Sequence, residues 1–382
     1  MNNFVFHNPT KIIFGKGTVG VIGDEIKNFG YRKVLLLYGR GSIKKNGVYD
    51  SVVDSLKRNS IAFVEVSGVK PNPVLSKVKE AVKVAKKEKV DAILAVGGGS
   101  VIDSAKTVAA GFYYDGDIWD AFTGEYKVKK SLPIFVVLTI SATGSEMNGG
   151  AVITNEETKE KWSFWSPTSF PKVSVIDPTV QFSLSKEQTV YGGIDAIVHV
   201  LEYYFDGSKG RRVMDRIMES IIKTIMEAVE VLIEDPTNYE CRANLAWSAT
   251  LALNGLTSTG SYGGDWSSHI IEHSLSALYD IAHGAGLAIV TPAWMRYVMD
   301  KDIEKFERFA KEIFGKNNAE DGIGAFKEWL KKVGAPTSLK DASIPSEDIE
   351  KIAENAAIRS PFGKLKPLYK EDIEAILKLA VE

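Results

Sequence analysis

Over the first 180 residues, short apolar runs alternate with longer stretches of mixed polarity. Lys33–Tyr38 (KVLLLY), Ile61–Val66, Asp91–Val96 and Pro133–Ile140 are short, aliphatic and bounded by Gly, Pro or Ser. Runs of this kind predict buried strands. Between them, Tyr49–Arg58 and Val74–Lys89 carry apolar residues at helical spacing, with Lys and Glu on the opposite face. Strand–helix alternation predicts a parallel sheet covered by helices on both sides. The rhythm then breaks. Ala151–Thr154 and Lys161–Trp165, separated by the polar Asn155–Glu160, predict a β-hairpin, and Val173–Ile176 predicts a last strand closed by Asp177-Pro178. Beyond residue 180 the strand signal fades. Lys186–Phe205, Val213–Glu234, Cys241–Thr257, His269–Ala282, Ala285–Met299, Lys301–Phe314 and Gly322–Val333 all carry a helical pattern. The chain therefore predicts an α/β domain over 1–180 and an all-α domain over 181–382, with a ligand site in the interdomain cleft.

Composition narrows the class. Of 382 residues, 45% are hydrophobic and 25% charged, which fits an ordinary globular protein. A net charge of −2 gives no basic footprint for a nucleic-acid partner. One cysteine, Cys241, excludes an intramolecular disulfide and a Cys-rich metal site. Met1–Thr10 lacks the apolar core of a signal peptide, and no apolar run approaches the roughly 20 residues of a membrane span. The expectation is a cytoplasmic protein with no membrane partner.

Three polar turns follow predicted strands. Gly97-Gly98-Gly99-Ser100-Val101-Ile102-Asp103 stands where a strand meets a helix, so backbone N–H groups and a helix N-terminus are available to a phosphate. On its own the turn is equally compatible with a tight structural connection, and it matches neither G-x-G-x-x-G nor a P-loop. Thr139-Ile140-Ser141-Ala142-Thr143-Gly144-Ser145-Glu146 offers hydroxyls and amides after another strand. Gly39-Arg40-Gly41-Ser42, with Lys44 and Lys45 behind it, occupies the place where dinucleotide folds carry an acidic residue for the ribose 2′-OH. Together the three turns predict one nucleotide crevice at the carboxyl ends of the strands, in a Rossmann-like dinucleotide-binding domain.

The chemistry of the second half is different. Four of the five histidines lie there: His199, His269, His273 and His283. Asp195 and His199 stand at i and i+4, as do His269 and His273, so on helices each pair shares a face. Any one of these histidines could be a core or surface residue. As a set of imidazoles with one carboxylate, flanked by Ala196, Ile197, Ile270 and Ile271, they suit a divalent transition metal.

These motifs in this order resemble the iron-containing (group III) alcohol dehydrogenases, and the resemblance spans essentially the whole chain. It runs from Pro9–Gly17 and Pro71-Asn72-Pro73 through Gly97–Asp103 and Ala142–Asn148 to Asp195-x3-His199, His269-x3-His273 and His283-Gly284. Within that family the sequence is most similar to the NADPH-dependent butanol dehydrogenase and aldehyde reductase branch. The resemblance implies a metal held by Asp195, His199, His269 and His283, Fe²⁺ in preference to Zn²⁺. It implies that Gly97, Gly98, Ser100 and Asp103 meet the pyrophosphate and nearby ribose. Thr139, Thr143, Asn148, Lys161 and Asn72 would line the rest of the cofactor. Gly39, Arg40 and Ser42 match the branch that accepts a 2′-phosphate, which favours NADP(H) over NAD(H). His273 is the expected proton relay, or else a residue that orients a metal ligand. The substrate would be a small alcohol or aldehyde, with Trp162, Trp165, Tyr262 and Trp266 as candidate pocket walls, and the assembly a homodimer. Two other readings share these motifs: a zinc-dependent polyol dehydrogenase on the same scaffold, and a non-catalytic nucleotide- or metal-binding protein.

Overall fold

The computed structural model describes Met1–Glu382. The residues form two compact units: Asn8–Leu184 with Pro236–Ala246, and Met1–His7 with Ser185–Asp235 and Trp247–Glu382. The sequence reading draws a single division after residue 180. In the structure the chain passes from one unit to the other after Leu184, and two short segments are exchanged. Ala246 shows why periodicity is silent on the exchange: it is buried in the core of the α/β unit, although its own helix has an ordinary helical pattern.

The α/β unit contains β1 (Lys11–Phe14), β2 (Lys33–Tyr38), β3 (Ala62–Val66), β4 (Ala92–Gly97), β5 (Ile134–Leu138), β6 (Gly150–Asn155), β7 (Glu160–Trp165) and β8 (Val173–Ile176). Its helices are α1 (Ile22–Asn28), α2 (Ser42–Lys45), α3 (Val48–Arg58), α4 (Leu75–Glu88), α5 (Gly99–Gly111) and α6 (Asp120–Thr123). Six strands form one sheet in the order β1-β8-β5-β4-β2-β3, and every pairing is parallel. Successive residues serve opposite cores, as the period of a strand requires. Val34, Leu36 and Tyr38 pack with Val52 and Leu56, while Leu35 and Leu37 pack with Val78, Ala81, Ile102 and Ala105. Two buried faces explain the unbroken aliphatic runs. β6 and β7 pair antiparallel as the predicted hairpin. β1 and α1 are additions to the sequence reading. β1 is a four-residue edge strand with exposed ends, too short and too mixed in polarity to read as a core strand.

From β2 the chain passes to β3 on one side and to β4 on the other, so the strand order reverses between β2 and β4. The turns after β2, β4 and β5 are neighbours, because Tyr38 pairs with Val96 and Gly97 with Leu138. Ligand crevices of open α/β sheets form at such a switch point.

The helical unit contains α7 (Lys186–Tyr204), α8 (Arg212–Leu232), α10 (Ser267–Tyr279), α11 (His283–Val298), α12 (Ile303–Phe314), α13 (Ala319–Lys332), α14 (Ile349–Ala357) and α15 (Lys370–Leu379), with α9 (Tyr239–Ala252) leading into it. α7 begins with a capping box, in which Gln188 N–H donates to Ser185 Oγ at 3.1 Å and Ser185 N–H donates to the Gln188 side chain at 3.2 Å. Its residues are apolar on nearly all sides, including Ile194, Ile197, Val198 and Leu201, and it is accordingly buried on nearly all sides. No helix is long and apolar enough to cross a membrane.

Candidate functional site

α7 sets Asp195 and His199 one turn apart, α10 supplies His269, and His283 is the first residue of α11. The three helices meet because Gly284 lets α11 approach α7; a Cβ there would lie 2.2 Å from the Tyr191 carbonyl oxygen. Three imidazoles converge on one oxygen as a result. Asp195 Oδ1 lies 3.3 Å from His199 Nδ1, 3.5 Å from His283 Nε2 and 3.7 Å from His269 Nε2. Asp195, His199 and His269 are nearly fully buried. Asp195 Oδ1, His199 Nδ1 and His269 Nε2 have no hydrogen-bond partner. Buried polar atoms without partners are expensive, and a carboxylate ringed by imidazole nitrogens is a donor set for a divalent cation. Asp195, His199 and His269 therefore fit the metal that the resemblance implies, and His283 faces the same oxygen.

Charge follows this geometry. Burial opposes ionisation of Asp195, but the facing His199, His283 and His269 outweigh it and hold the carboxyl well below the usual carboxylate range. Burial pushes His199 down to about 4, so its ring is neutral and able to ligate at neutral pH. Burial also disfavours charge on His269, yet the Asp195 and Glu202 carboxylates overcome it and raise this ring to about 9.

Two residues outside the sequence-derived set orient the rings of His269 and His283. Glu202 Oε1 lies 2.7 Å from His269 Nδ1, which leaves His269 Nε2 facing Asp195. Glu272 Oε2 bonds His283 Nδ1 in the same way, and its other oxygen accepts from Ser276 Oγ. Glu202 and Glu272 are fully buried. Carboxylate–histidine pairs of this kind fix the ring tautomer and orientation in metal sites. A signal was present in the sequence, since a glutamate follows His199 and His269 by three residues in each case. Each glutamate serves the next histidine of the set and not its own neighbour, and spacing cannot reveal that.

His273 stands beside the group, its ring 5.6 Å from that of His283 and 6.5 Å from that of His269. It is half-buried, unlike His199 and His269. Of the four aromatic residues expected near a pocket, Trp266 is at the histidines, edge-on to His269 at 5.3 Å and to His199 at 6.2 Å. Its backbone is left-handed (φ 65°) and is held by Glu202, which accepts the Trp266 N–H. Trp162 stacks on Trp119, and Trp165 and Tyr262 are exposed.

In the α/β unit, the two central turns fit one another through their lack of side chains. A Cβ on Gly98 would lie 2.5 Å from Ile140 Cγ2, and one on Gly99 would lie 2.4 Å from Thr143 Cγ2. α5 begins at Gly99, so Ser100 lies in its first turn and Gly98 is the N-cap. Thr139 N–H donates to the Gly97 carbonyl at 3.0 Å, which ties the turns together. Thr143 Oγ1 accepts from Ser145 N–H at 3.1 Å. Asp103 accepts from Ser145 Oγ at 2.5 Å and from Val152 N–H at 3.0 Å, linking α5 to the hairpin. Asn148 Oδ1 accepts from Lys106 Nζ at 3.0 Å. Lys106 was missed by the sequence reading. It is fully buried, donates also to Ser145 Oγ and the Gly150 carbonyl at 2.7 Å each, and burial lowers it to about 8. A lysine in the middle of the apolar run after Asp103 was its signal. Lys161 on β7 donates to Asn72 Oδ1 at 3.1 Å, so these two predicted cofactor residues meet, both buried. Gly39, Arg40 and Ser42 follow β2, with Arg40 and Ser42 exposed.

Comparisons with known proteins identify the family. Residues 9–178 match the family model described as iron-containing alcohol dehydrogenase, and residues 189–381 match its C-terminal counterpart. NADH-dependent butanol dehydrogenase A of Clostridium acetobutylicum is 45% identical, with 99% of each chain covered. NADPH-dependent aldehyde reductase YqhD of Escherichia coli is 37% identical over 91% of each. The crystal structure of NADH-dependent butanol dehydrogenase A from Thermotoga maritima gives a TM-score of 0.99 at 65% identity, covering 100% of this chain and 99% of that one. A parallel sheet with a glycine-rich switch point, a histidine–aspartate cluster on buried helices and matches over both halves lead to one assignment: the chain belongs to the iron-containing alcohol dehydrogenase family, oxidoreductases that act on CH–OH groups.

Proposed function

We propose that the chain interconverts small primary alcohols and aldehydes of about butanol's size, using NADP(H) in preference to NAD(H). Asp195, His199, His269 and His283 hold a divalent cation, with Fe²⁺ the resident ion and Zn²⁺ a competent substitute. The observation that carries this reading is the buried, partnerless set Asp195 Oδ1, His199 Nδ1 and His269 Nε2.

The cation, when bound, supplies Lewis acidity to the substrate oxygen, and the nicotinamide supplies or accepts the hydride. The chain's own residues do the remainder. Glu202 and Glu272 keep His269 and His283 turned toward Asp195. His273, half-buried next to His283, carries the hydroxyl proton between the site and water. Trp266 gives the site an apolar wall, which suits an alkyl chain better than a sugar. Gly97, Gly98 and Ser100 present backbone amides at the start of α5 to the pyrophosphate, while Thr139, Thr143, Asn148, Asn72 and Lys161 line the course of the dinucleotide. Asp103 and Lys106 brace these turns from within. No carboxylate stands in Gly39–Ser42 to repel a 2′-phosphate, and Arg40 is exposed there. The relatives' names point both ways on the nucleotide, to NADH for the butanol dehydrogenases and NADPH for YqhD.

The test is aldehyde-dependent oxidation of NADPH against NADH by anaerobically purified protein, stripped by a chelator and resupplied with Fe²⁺ or Zn²⁺. Butanal-driven oxidation of NADPH should return only with metal and should fade in His283→Ala. A clear preference for NADH would overturn the nucleotide assignment alone. Absence of turnover with metal bound would overturn the reading of the site.

A further inference from the structure

A second charged cluster lies beside the Gly39–Ser42 turn, and neither the chemistry nor the metal uses it. Glu65 on β3 accepts from Tyr38 Oη at 2.7 Å and from Tyr49 Oη at 2.6 Å. Lys44 Nζ stands 3.8 Å from Glu65 and lies 4.5 and 5.2 Å from the ring centroids of Tyr49 and Tyr38. The chain order ties this cluster to the turn: Tyr38 immediately precedes Gly39, and Lys44 is two residues beyond Ser42 in α2. β3 is the neighbour of β2, with Glu65 opposite Leu36. The segment after β3 closes back on the turn, with Gly68 N–H donating to the Gly39 carbonyl at 3.0 Å and Val69 N–H to the Tyr38 carbonyl at 3.3 Å.

A carboxylate therefore stands one strand outward from where dinucleotide folds place their ribose-gripping acid. Two phenols occupy its oxygens and an ammonium balances its charge. Burial opposes ionisation of Glu65, but Tyr49, Tyr38 and Lys44 outweigh it, so the group is an anion at neutral pH. We infer that Glu65 and Lys44 bias the choice between NAD(H) and NADP(H) in opposite directions through their charges, Glu65 against a 2′-phosphate and Lys44 in its favour. This inference rests on the reading that the adenosine ribose lies at Gly39–Ser42. A 2′-phosphate is nearly doubly charged at neutral pH. Across about 10 Å of water-like surroundings, one carboxylate changes its binding by roughly threefold, and by more where the dielectric is lower. The ribose 2′-OH of NAD(H) carries no charge and feels almost none of this.

The experiment measures kcat/KM for NADPH and NADH at low ionic strength in the metal-loaded enzyme. Glu65→Gln, whose amide oxygen still accepts from a phenol, should raise the NADPH/NADH ratio about threefold or more. Lys44→Met keeps an apolar stem over the two rings and should lower the ratio by a similar factor. The double variant should return toward the parent, and about 0.5 M salt should shrink both shifts. If both nucleotides weaken together in the single variants while the ratio stays fixed, the cluster is structural and the inference fails. Ratios that move in the same direction in both variants overturn it as well. Arg40→Asp separates this failure from that of the underlying reading. An acid placed in the turn should cut the ratio at least tenfold, and an unchanged ratio there means that the ribose lies elsewhere.

Discussion

The histidine cluster of the helical unit and the turns of the α/β unit are built on opposite principles. The cluster consists of side chains. Asp195, His199, His269 and His283 come from three helices, and the first three contribute buried atoms without a hydrogen-bond partner. The turns consist of backbone made accessible by missing side chains, and their polar residues bond mostly to one another, as Asp103, Lys106, Ser145 and Asn148 do. The difference teaches where each site is vulnerable. A side-chain site fails when a donor is removed and tolerates changes nearby. A backbone site fails when bulk is added and tolerates the loss of many polar groups.

Removing the hub of the cluster should give the largest effect. Asp195→Ala is expected to lose bound metal and at least about a thousandfold in turnover, since the cation's polarisation is worth several kcal/mol. Dinucleotide binding, followed by fluorescence titration, should persist. If it vanished too, the two regions could not be treated as independent. The converse substitution is Gly99→Val. Its branched side chain would collide with Thr143, so dinucleotide affinity should fall about a hundredfold while metal content, measured by atomic emission, stays at the parent level. Metal loss in this variant would break the comparison from the other side.

Smaller effects sharpen the contrast. Glu272→Gln keeps a hydrogen-bonding group beside His283 but removes its negative charge, and a 10- to 100-fold fall in metal affinity is expected from competition with a chelating dye. An unchanged affinity would mean that Glu272 merely fills the core. Lys106→Met leaves the acceptors on Asn148, Ser145 and Gly150 without their ammonium. Stability should drop by about 1–3 kcal/mol in denaturant titrations, with dinucleotide binding weakened by less than about tenfold. A large loss of turnover with no loss of stability would instead give Lys106 a direct part in cofactor binding.

Much of this molecule was legible in the sequence. The aliphatic runs gave strands buried on both faces, and β2, β4 and β5 formed within a residue or two of their expected bounds. The hairpin and the change to helices were equally readable, and the i,i+4 spacing placed Asp195 and His199 on one helix face. Edges and supports were not. β1 is too short to show a period, and α9 has a helical pattern that does not say which core receives its first residues. The local signals of Glu202, Glu272 and Lys106 do not name the groups they bond, because those partners lie on other elements.

What the sequence determined by itself is the local code: alternation that sets strands against helices, glycines that open the backbone after β4, and a scarce set of imidazole and carboxylate side chains at helical spacing. These are properties of neighbours along the chain, and neighbours along the chain are visible in a sequence. Tertiary structure alone decided that Glu202 would orient His269, that Glu272 would orient His283, and that Lys106 would be buried beneath Asn148. It also decided that Glu65 would share its charge with Lys44, Tyr38 and Tyr49. Whether a charged residue faces water or a partner depends on helix packing and strand order. Those are set by burial summed over the whole core, and no local pattern encodes that sum.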